Sequence, residues 1–187
     1  MTFEFQAWPK LPRLNRQIII TEKIDGTNAA VYVGEDGTVG AQSRKRVITP
    51  QDDNFGFANW VSTHAAALAE ILGPGYHFGE WWGSGIQRGY GLSKGEKRFS
   101  LFNTSRWGGH DLRDLVPGLG VVPVLYEGPL DTHVINRTVE ALSGSGSHAA
   151  PGFDRPEGVV VFHTAANSMF KVTIENDELP KALAAVA

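Results

Sequence analysis

The chain contains no cysteine and only two methionines among its 187 residues. Structural disulfides, thiolate metal sites and cysteine nucleophiles are thereby excluded. Six histidines are present, but none stands in an HxxxH or HxH pair, so a dedicated zinc site is not expected. No apolar run approaches the roughly 20 residues needed to cross a bilayer. The opening stretch MTFEFQAWPK has no basic segment followed by an apolar one, so no secretory signal is expected. These absences predict a cytoplasmic protein without membrane association. A strongly basic balance is missing too: the formal net charge is −3, which argues against wholesale electrostatic adhesion to nucleic acid. The charge is uneven, with 12 Lys/Arg and 10 Asp/Glu in residues 1–110 against 5 and 10 in residues 111–187. Clusters such as Arg44-Lys45-Arg46 and Lys94 to Arg98 can therefore still line a polyanion groove.

Familiar nucleotide signatures are lacking as well. GSGIQRGYG would need glycine where Arg88 stands to satisfy the dinucleotide pattern, and no helix is expected after it. GLSKGEK does not fit a phosphate-binding P-loop, and no G-x-S-x-G elbow occurs.

What is present is a series of short apolar runs separated by turn residues. Gln17–Thr21 and Asn28–Val33 read as strands on either side of TEKIDGTN, and Thr38–Arg44 returns as a third after GEDG. Centring that hairpin on its turn pairs Val33 with Thr38, Val31 with Gly40 and Thr27 with Arg44. FANWVSTHAAALAEIL has helical spacing, with Asp52-Asp53-Asn54 as caps and Gly73-Pro74-Gly75 as the stop. Tyr76–Trp82, Arg98–Asn103 and Val121–Tyr126 read as further strands, and Thr132–Leu142 as a short amphipathic helix. SGSGSHAAPG has the composition of a flexible loop. EGVVVF and SMFKVTI form a hairpin about HTAAN, which pairs Val159 with Lys171 and Glu157 with Thr173. NDELPKALAAVA is expected to close the chain as a helix. Many strands, few helices and no βαβ alternation predict a single α+β domain over 1–187, with antiparallel sheets and flanking helices.

Separated pieces of the chain fall in a telling order. Lys23-Ile24-Asp25-Gly26 is followed by QSR at 42–44, FGEWWG at 78–83, Phe99 to Phe102, EGVV at 157–160 and MFKVT at 169–173. In this order they resemble the covalent nucleotidyltransferase superfamily of polynucleotide ligases and capping enzymes, and most closely the phage-type, nick-sealing ATP-dependent RNA ligases. The resemblance implies a minimal nucleotidyltransferase (adenylylation) domain without an OB-fold. It implies sealing of 5′-phosphate to 3′-hydroxyl ends through a lysyl-AMP intermediate, with ATP and Mg²⁺ or Mn²⁺ as cofactors. The lysine would be Lys23. A lysine with the ordinary pKa of about 10.4 is protonated at neutral pH, so the chemistry asks for partial burial and nearby positive charge. Asp25 by itself works the other way, since it favours the ammonium.

By position, the resemblance implies that Glu22 and its backbone meet the adenine edge and that Asn28 and Arg44 contact ribose or α-phosphate. Gly26 would belong to the nucleotide-binding loop. Glu80 would accept from ribose hydroxyls, and Phe99 would stack on the base while Phe102 stays in the core. Glu157 and Asp25 would hold the metal, and Lys171 would join Lys23 in catalysis by gripping the α-phosphate. The family presents two lysines spaced K-x-K in its last motif, whereas Met169 and Thr173 flank Lys171 at that spacing. Either one phosphate contact is missing, or a residue such as Lys181 or Arg155 replaces it. The expected partners are RNA ends or nicked duplex, bound weakly unless a protein partner adds contacts. A DNA ligase, a GTP-using capping-type enzyme, and a module that binds nucleotide or RNA ends without sealing remain the alternatives.

Overall fold

Residues 3–175 are described in the computed structural model. The two apolar runs around TEKIDGTN do become strands, and they belong to different sheets. The first sheet sets Ser168–Thr173 (β10), Gly158–His163 (β9), Gln17–Lys23 (β1) and Val124–Pro129 (β8) side by side, all antiparallel. The second sheet runs Val47–Ile48 (β4), Val39–Ser43 (β3), Thr27–Val33 (β2), Gly75–Gly83 (β5), Lys97–Leu101 (β6) and Leu119–Val121 (β7). Its pairs are antiparallel except for β6 with β7. The α+β expectation holds. Among the described residues no helix is long and apolar enough to cross a membrane.

Strand alternation decides which face of each sheet is covered. In β1, Ile18 and Ile20 are fully buried and pack with Val159, Val161 and Leu142, the last from Thr132–Ser145 (α4). Ile19, Thr21 and Lys23 leave the other face and are only partly buried. In the second sheet, Ala29, Val31, Val33, Trp81 and Phe99 are buried together with Phe57, Val61, Leu68 and Leu72. Those last four come from Phe57–Thr63 (α1) and Ala65–Leu72 (α2), which the sequence reads as one helix and the structure divides at His64. The Asp53 carboxylate, one of the expected caps, accepts the backbone N–H of Ala58 and of Asn59. A one-turn helix, Thr104–Trp107 (α3), adds Trp107 to the same core.

Both sequence-derived hairpin registers are one residue out. The β2–β3 loop is closed by Gly34 N–H to Thr38 O, leaving three residues in it, so Val33 faces Val39 and Val31 faces Ala41. The β9–β10 loop holds four residues, so Lys171 faces Val160 and Thr173 faces Gly158. A one-residue slip changes which face a side chain leaves. Here it puts Lys171 on the face of Val160, Thr21 and Lys23, because Thr21 faces Val160 and Lys23 faces Gly158. The expected helix at NDELPKALAAVA, with Lys181, lies outside the described residues.

Phe99 is a core residue. It has no exposed surface and its ring lies 4.9 Å from Phe57 and 5.9 Å from Trp60. The stacking role expected for it is therefore corrected: its place opposite Trp81 faces the ring into the α1 side of the sheet. Phe102 is only partly buried and packs against Ile24 and Trp82 instead. Phe99→Ala is expected to lose about 3–5 kcal/mol of stability and Phe102→Ala clearly less, as read from urea denaturation midpoints at unchanged slope.

Candidate active site

The chain passes from one sheet to the other through only Ile24, Asp25 and Gly26. That short link forces the end of β1 against the start of β2 and the middle of β5. Gly26 sits so close to β5 that a Cβ there would lie 2.5 Å from the Trp81 carbonyl oxygen and 2.8 Å from Trp82 Cβ. Only glycine allows this approach. Ile24 fills the junction, buried with Trp82, Tyr90, Val122, Ala149 and Ala150.

Lys23 ends β1 with its side chain one quarter exposed, and Nζ donates to Glu157 Oε2 at 2.5 Å. Simple alternation along β9 would send Glu157 to the face of Val159 and Val161, away from Lys23. Gly158 breaks that alternation with φ 154°, and a Cβ there would collide with the Val172 carbonyl at 2.2 Å. The Glu-Gly pair is thus a pivot that turns the carboxylate onto the lysine.

Two further carboxylates complete the group. Asp25 Oδ2 accepts from Arg88 Nε at 3.2 Å, and the Asp25 N–H donates to the Tyr90 hydroxyl at 3.0 Å. Burial, then the charge of Glu157, holds the Asp25 carboxyl above its ordinary range against the lowering pull of Arg88 and Lys23. Glu80 lies opposite Asn28 on β5. Burial pushes it up to about 7, with Lys23 and the Gly26 N–H opposing the rise and Glu157 and Asp25 adding to it. Lys23, Asp25, Glu80 and Glu157 therefore sense one another electrostatically.

Glu22 departs from expectation. It leaves β1 on the face opposite to Lys23 and is 1% exposed. Its carboxylate accepts from the Ser147 hydroxyl and from the backbone N–H of His148 and Ala149. Three donors inside the protein hold the carboxylate, and its burial leaves the side chain no edge to offer adenine. The segment expected to be a flexible loop is the reason: Ser147, Ala149 and Ala150 are buried, Ser147 to Ala149 bond Glu22, and the Ala150 N–H donates to the Ser147 hydroxyl.

Arg44 also stands elsewhere than the hairpin pairing put it. β3 stops at Ser43, and Arg44 lies exposed in the following bend. Lys171 is exposed on the Lys23 face and makes no ion pair among the described residues. Arg155, the other candidate replacement for the missing second lysine, is exposed and pairs loosely with Asp154 at 4.0 Å.

Arg88 is the member that sequence reasoning missed. Besides Asp25, its guanidinium donates to the carbonyls of Arg155 and Pro156 and lies 3.6 Å from a Glu175 carboxylate oxygen. It binds the Lys23 loop to the segment that carries Glu157. Its signal is GSGIQRGYG, a glycine-rich loop with a single arginine that fits no dinucleotide pattern.

As to metal, no group of three or more His, Cys, Asp or Glu side chains among the described residues is arranged to hold an ion by itself. Asp25 and Glu157, the expected ligands, are engaged by Arg88 and Lys23.

The Glu80 shift has a consequence for stability. Its value in the fold lies above the ordinary 4.5, so the native state keeps a proton that the unfolded chain releases. Glu80's contribution is full below about 4.5 and is lost as pH rises through about 7. Glu80→Gln cannot ionise, so thermal melts should show the variant gaining on wild type as pH is raised across that window.

Comparison with known proteins places this geometry. A family profile described as RNA ligase matches residues 16–173. No curated protein matches the chain in sequence. Among solved structures, a lysine-to-alanine variant of Naegleria gruberi RNA ligase with ATP and Mn is 20% identical at a TM-score of 0.62, covering 85% of this chain and 49% of that one. A lysine-to-methionine variant with AMP and Mn is 18% identical at 0.60, covering 86% and 50%. An aspartate-to-alanine variant without ligand is 19% identical at 0.60, again covering 86% and 50%. The chain spans about half the length of these structures, and at such identities the likeness is one of fold. With the family profile spanning both sheets, from the start of β1 to the end of β10, the chain belongs to the RNA ligase family.

Proposed function

We propose that this chain is the adenylylation unit of an ATP-dependent RNA ligase and that Lys23 is its nucleophile. The observation that carries the reading is the position of Lys23 Nζ, held at the junction of the two sheets against Glu157 and in the field of Asp25 and Glu80. The Lys23 nitrogen would form a bond to the α-phosphorus of ATP while the bond to pyrophosphate breaks. AMP would then pass to an RNA 5′-phosphate, and a 3′-hydroxyl would displace it to seal the strand. For the lone pair to attack, Nζ must give up one proton and be aimed at the α-phosphorus, which turns it from Glu157.

Other roles follow from placement. Glu80 and Asn28, paired across β5 and β2, would take the ribose. Phe102, in place of Phe99, would stack on the base beside Ile24 and Trp82. Lys171 would bring positive charge to the α-phosphate from the Lys23 face of β10, and such a fixed charge stabilises the developing transition state. Arg44 would reach phosphate from the bend after β3.

The carboxylates fit a divalent cation. Asp25 and Glu157 are hard oxygen donors, and Mg²⁺ commonly takes one or two carboxylates together with substrate phosphates. Burial first, and then neighbouring carboxylates, raises Asp25 and Glu80, and a cation would favour the ionised form of both. Bound there, it would neutralise charge on the triphosphate and on Glu157.

The test is the intact mass of the purified protein after incubation with ATP or GTP and Mg²⁺ or Mn²⁺. An AMP adduct is expected on wild type and none on Lys23→Ala, and Lys171→Ala should slow its formation by about 10²-fold. A GMP adduct would move the reading to a capping-type enzyme. No adduct under any condition would leave a module that binds without sealing.

A further inference from the structure

The second sheet has one face packed on α1 and α2, and its other face carries exposed rings. Tyr32, Tyr76 and Phe78 are 38%, 57% and 49% exposed. They do not lie scattered. Tyr32 faces Tyr76 across β2 and β5, and their ring centres are 4.8 Å apart. Phe78 follows on β5, stacked on Tyr76 with centres 6.1 Å apart and ring planes 18° apart. Their cross-strand neighbours toward β3 and β2 are small, Gly40 facing Tyr32 and Ala30 facing Phe78, while on the β6 side Phe102, whose N–H donates to the Phe78 carbonyl, continues the row.

This row has a direction. On the same face, one step beyond Ala30 and Phe78, lie Asn28 and Glu80. Same-face residues along a strand are about 7 Å apart, so the rings lead directly up to the Lys23 group. At the rim, where β3 leaves the sheet, Arg44 and Lys45 are exposed, while Arg46 is held by Asp52. Contiguous exposed rings mark a binding surface. Rings that lead to a reactive lysine and have cations at their rim match the chemistry of unpaired nucleic acid, whose bases stack on aromatics while basic groups track the backbone.

We propose that Tyr32, Tyr76 and Phe78 are a stacking platform for unpaired bases of the RNA strand whose end is presented to Lys23, with Lys45 taking one of its phosphates. The platform selects single-stranded RNA ends over nicks in duplex, because bases stacked and paired in a helix have no free face to give it. The proposal rests on the RNA ligase reading for the identity of the strand, but it is measured separately from the chemistry.

The experiment is fluorescence anisotropy with a labelled, 5′-phosphorylated oligoadenylate and with a nicked RNA duplex, using wild type, Tyr76→Ser and Phe78→Ser. Both positions are exposed, and thermal melts check that each variant is folded. Wild type should bind the single strand more tightly than the duplex. Each substitution should weaken single-strand binding by about 5- to 150-fold, the equivalent of stacking one base. Lys45→Ala should lower the salt slope of binding by about 0.7, one phosphate contact. AMP adduct formation from ATP alone should be unchanged in the two ring variants.

Unchanged single-strand affinity in folded ring variants would overturn the proposal, as would equal binding of duplex and single strand. If wild type self-associates and the ring variants are monomeric, the face is a protein interface and the proposal falls. Loss of adduct formation in the ring variants would assign the rings to the nucleotide site and overturn it likewise. Ring-dependent RNA binding by a wild type that forms no adduct would uphold the platform and refute the ligase reading.

Discussion

Lys23 Nζ and Glu157 Oε2 lie 2.5 Å apart although 134 residues separate them in the chain. Two local features make that contact obligatory. A link of three residues, Ile24 to Gly26, pins the end of β1 to the second sheet, and Gly26 lets it approach β5 closely. At the other end, the positive φ of Gly158 turns Glu157 off its own strand face and toward the lysine. Remove either glycine and the two groups no longer share a place. The remaining members are arranged about this pair: Arg88 ties the Asp25 loop to the backbone just before Glu157, and Glu80 faces it from β5.

The electrostatics of the group are those of a site waiting for positive charge. Three carboxylates, Asp25, Glu80 and Glu157, share it with Lys23 and Arg88, and burial raises the cost of keeping all three ionised. Asp25 and Glu80 respond by holding protons more tightly. Asp25 and Glu157 would hold a divalent cation there, and its charge would offset that of the carboxylates.

Much of this was legible in the sequence, for a physical reason. The family resemblance singles out Lys23, Asp25, Gly26, Glu80 and Glu157, and they stand beside strand signals that period-2 patterning locates well. The α+β class followed from the same patterning. What was not legible depended on one-residue differences. The β2–β3 and β9–β10 loops each shift their hairpin by one residue from a symmetric turn, and that shift decides the faces of Lys171 and Arg44. Phe99 and Phe102 differ only in which side of β6 faces the helices, and apolar residues on both sides gave no means to choose. Glu22 and SGSGSHAAPG failed for a different reason. A buried carboxylate satisfied by three donors 125 to 127 residues away leaves no local pattern, and a segment rich in small polar residues reads as a linker until its partner is seen. Arg88 was hidden by its loop, which matches no phosphate-binding spacing and serves the site through carbonyls and one carboxylate.

The most direct measurement is a crystal structure of the protein with Mg²⁺ and an ATP analogue whose α–β bridge cannot be cleaved. The account predicts Lys23 Nζ about 3–3.5 Å from the α-phosphorus, opposite the bridging atom, with Glu80 at the ribose and Glu157 withdrawn from the amine. A nucleotide bound away from the junction of the two sheets, or one seated there with Lys23 still locked on Glu157 and no other lysine in line, would contradict it.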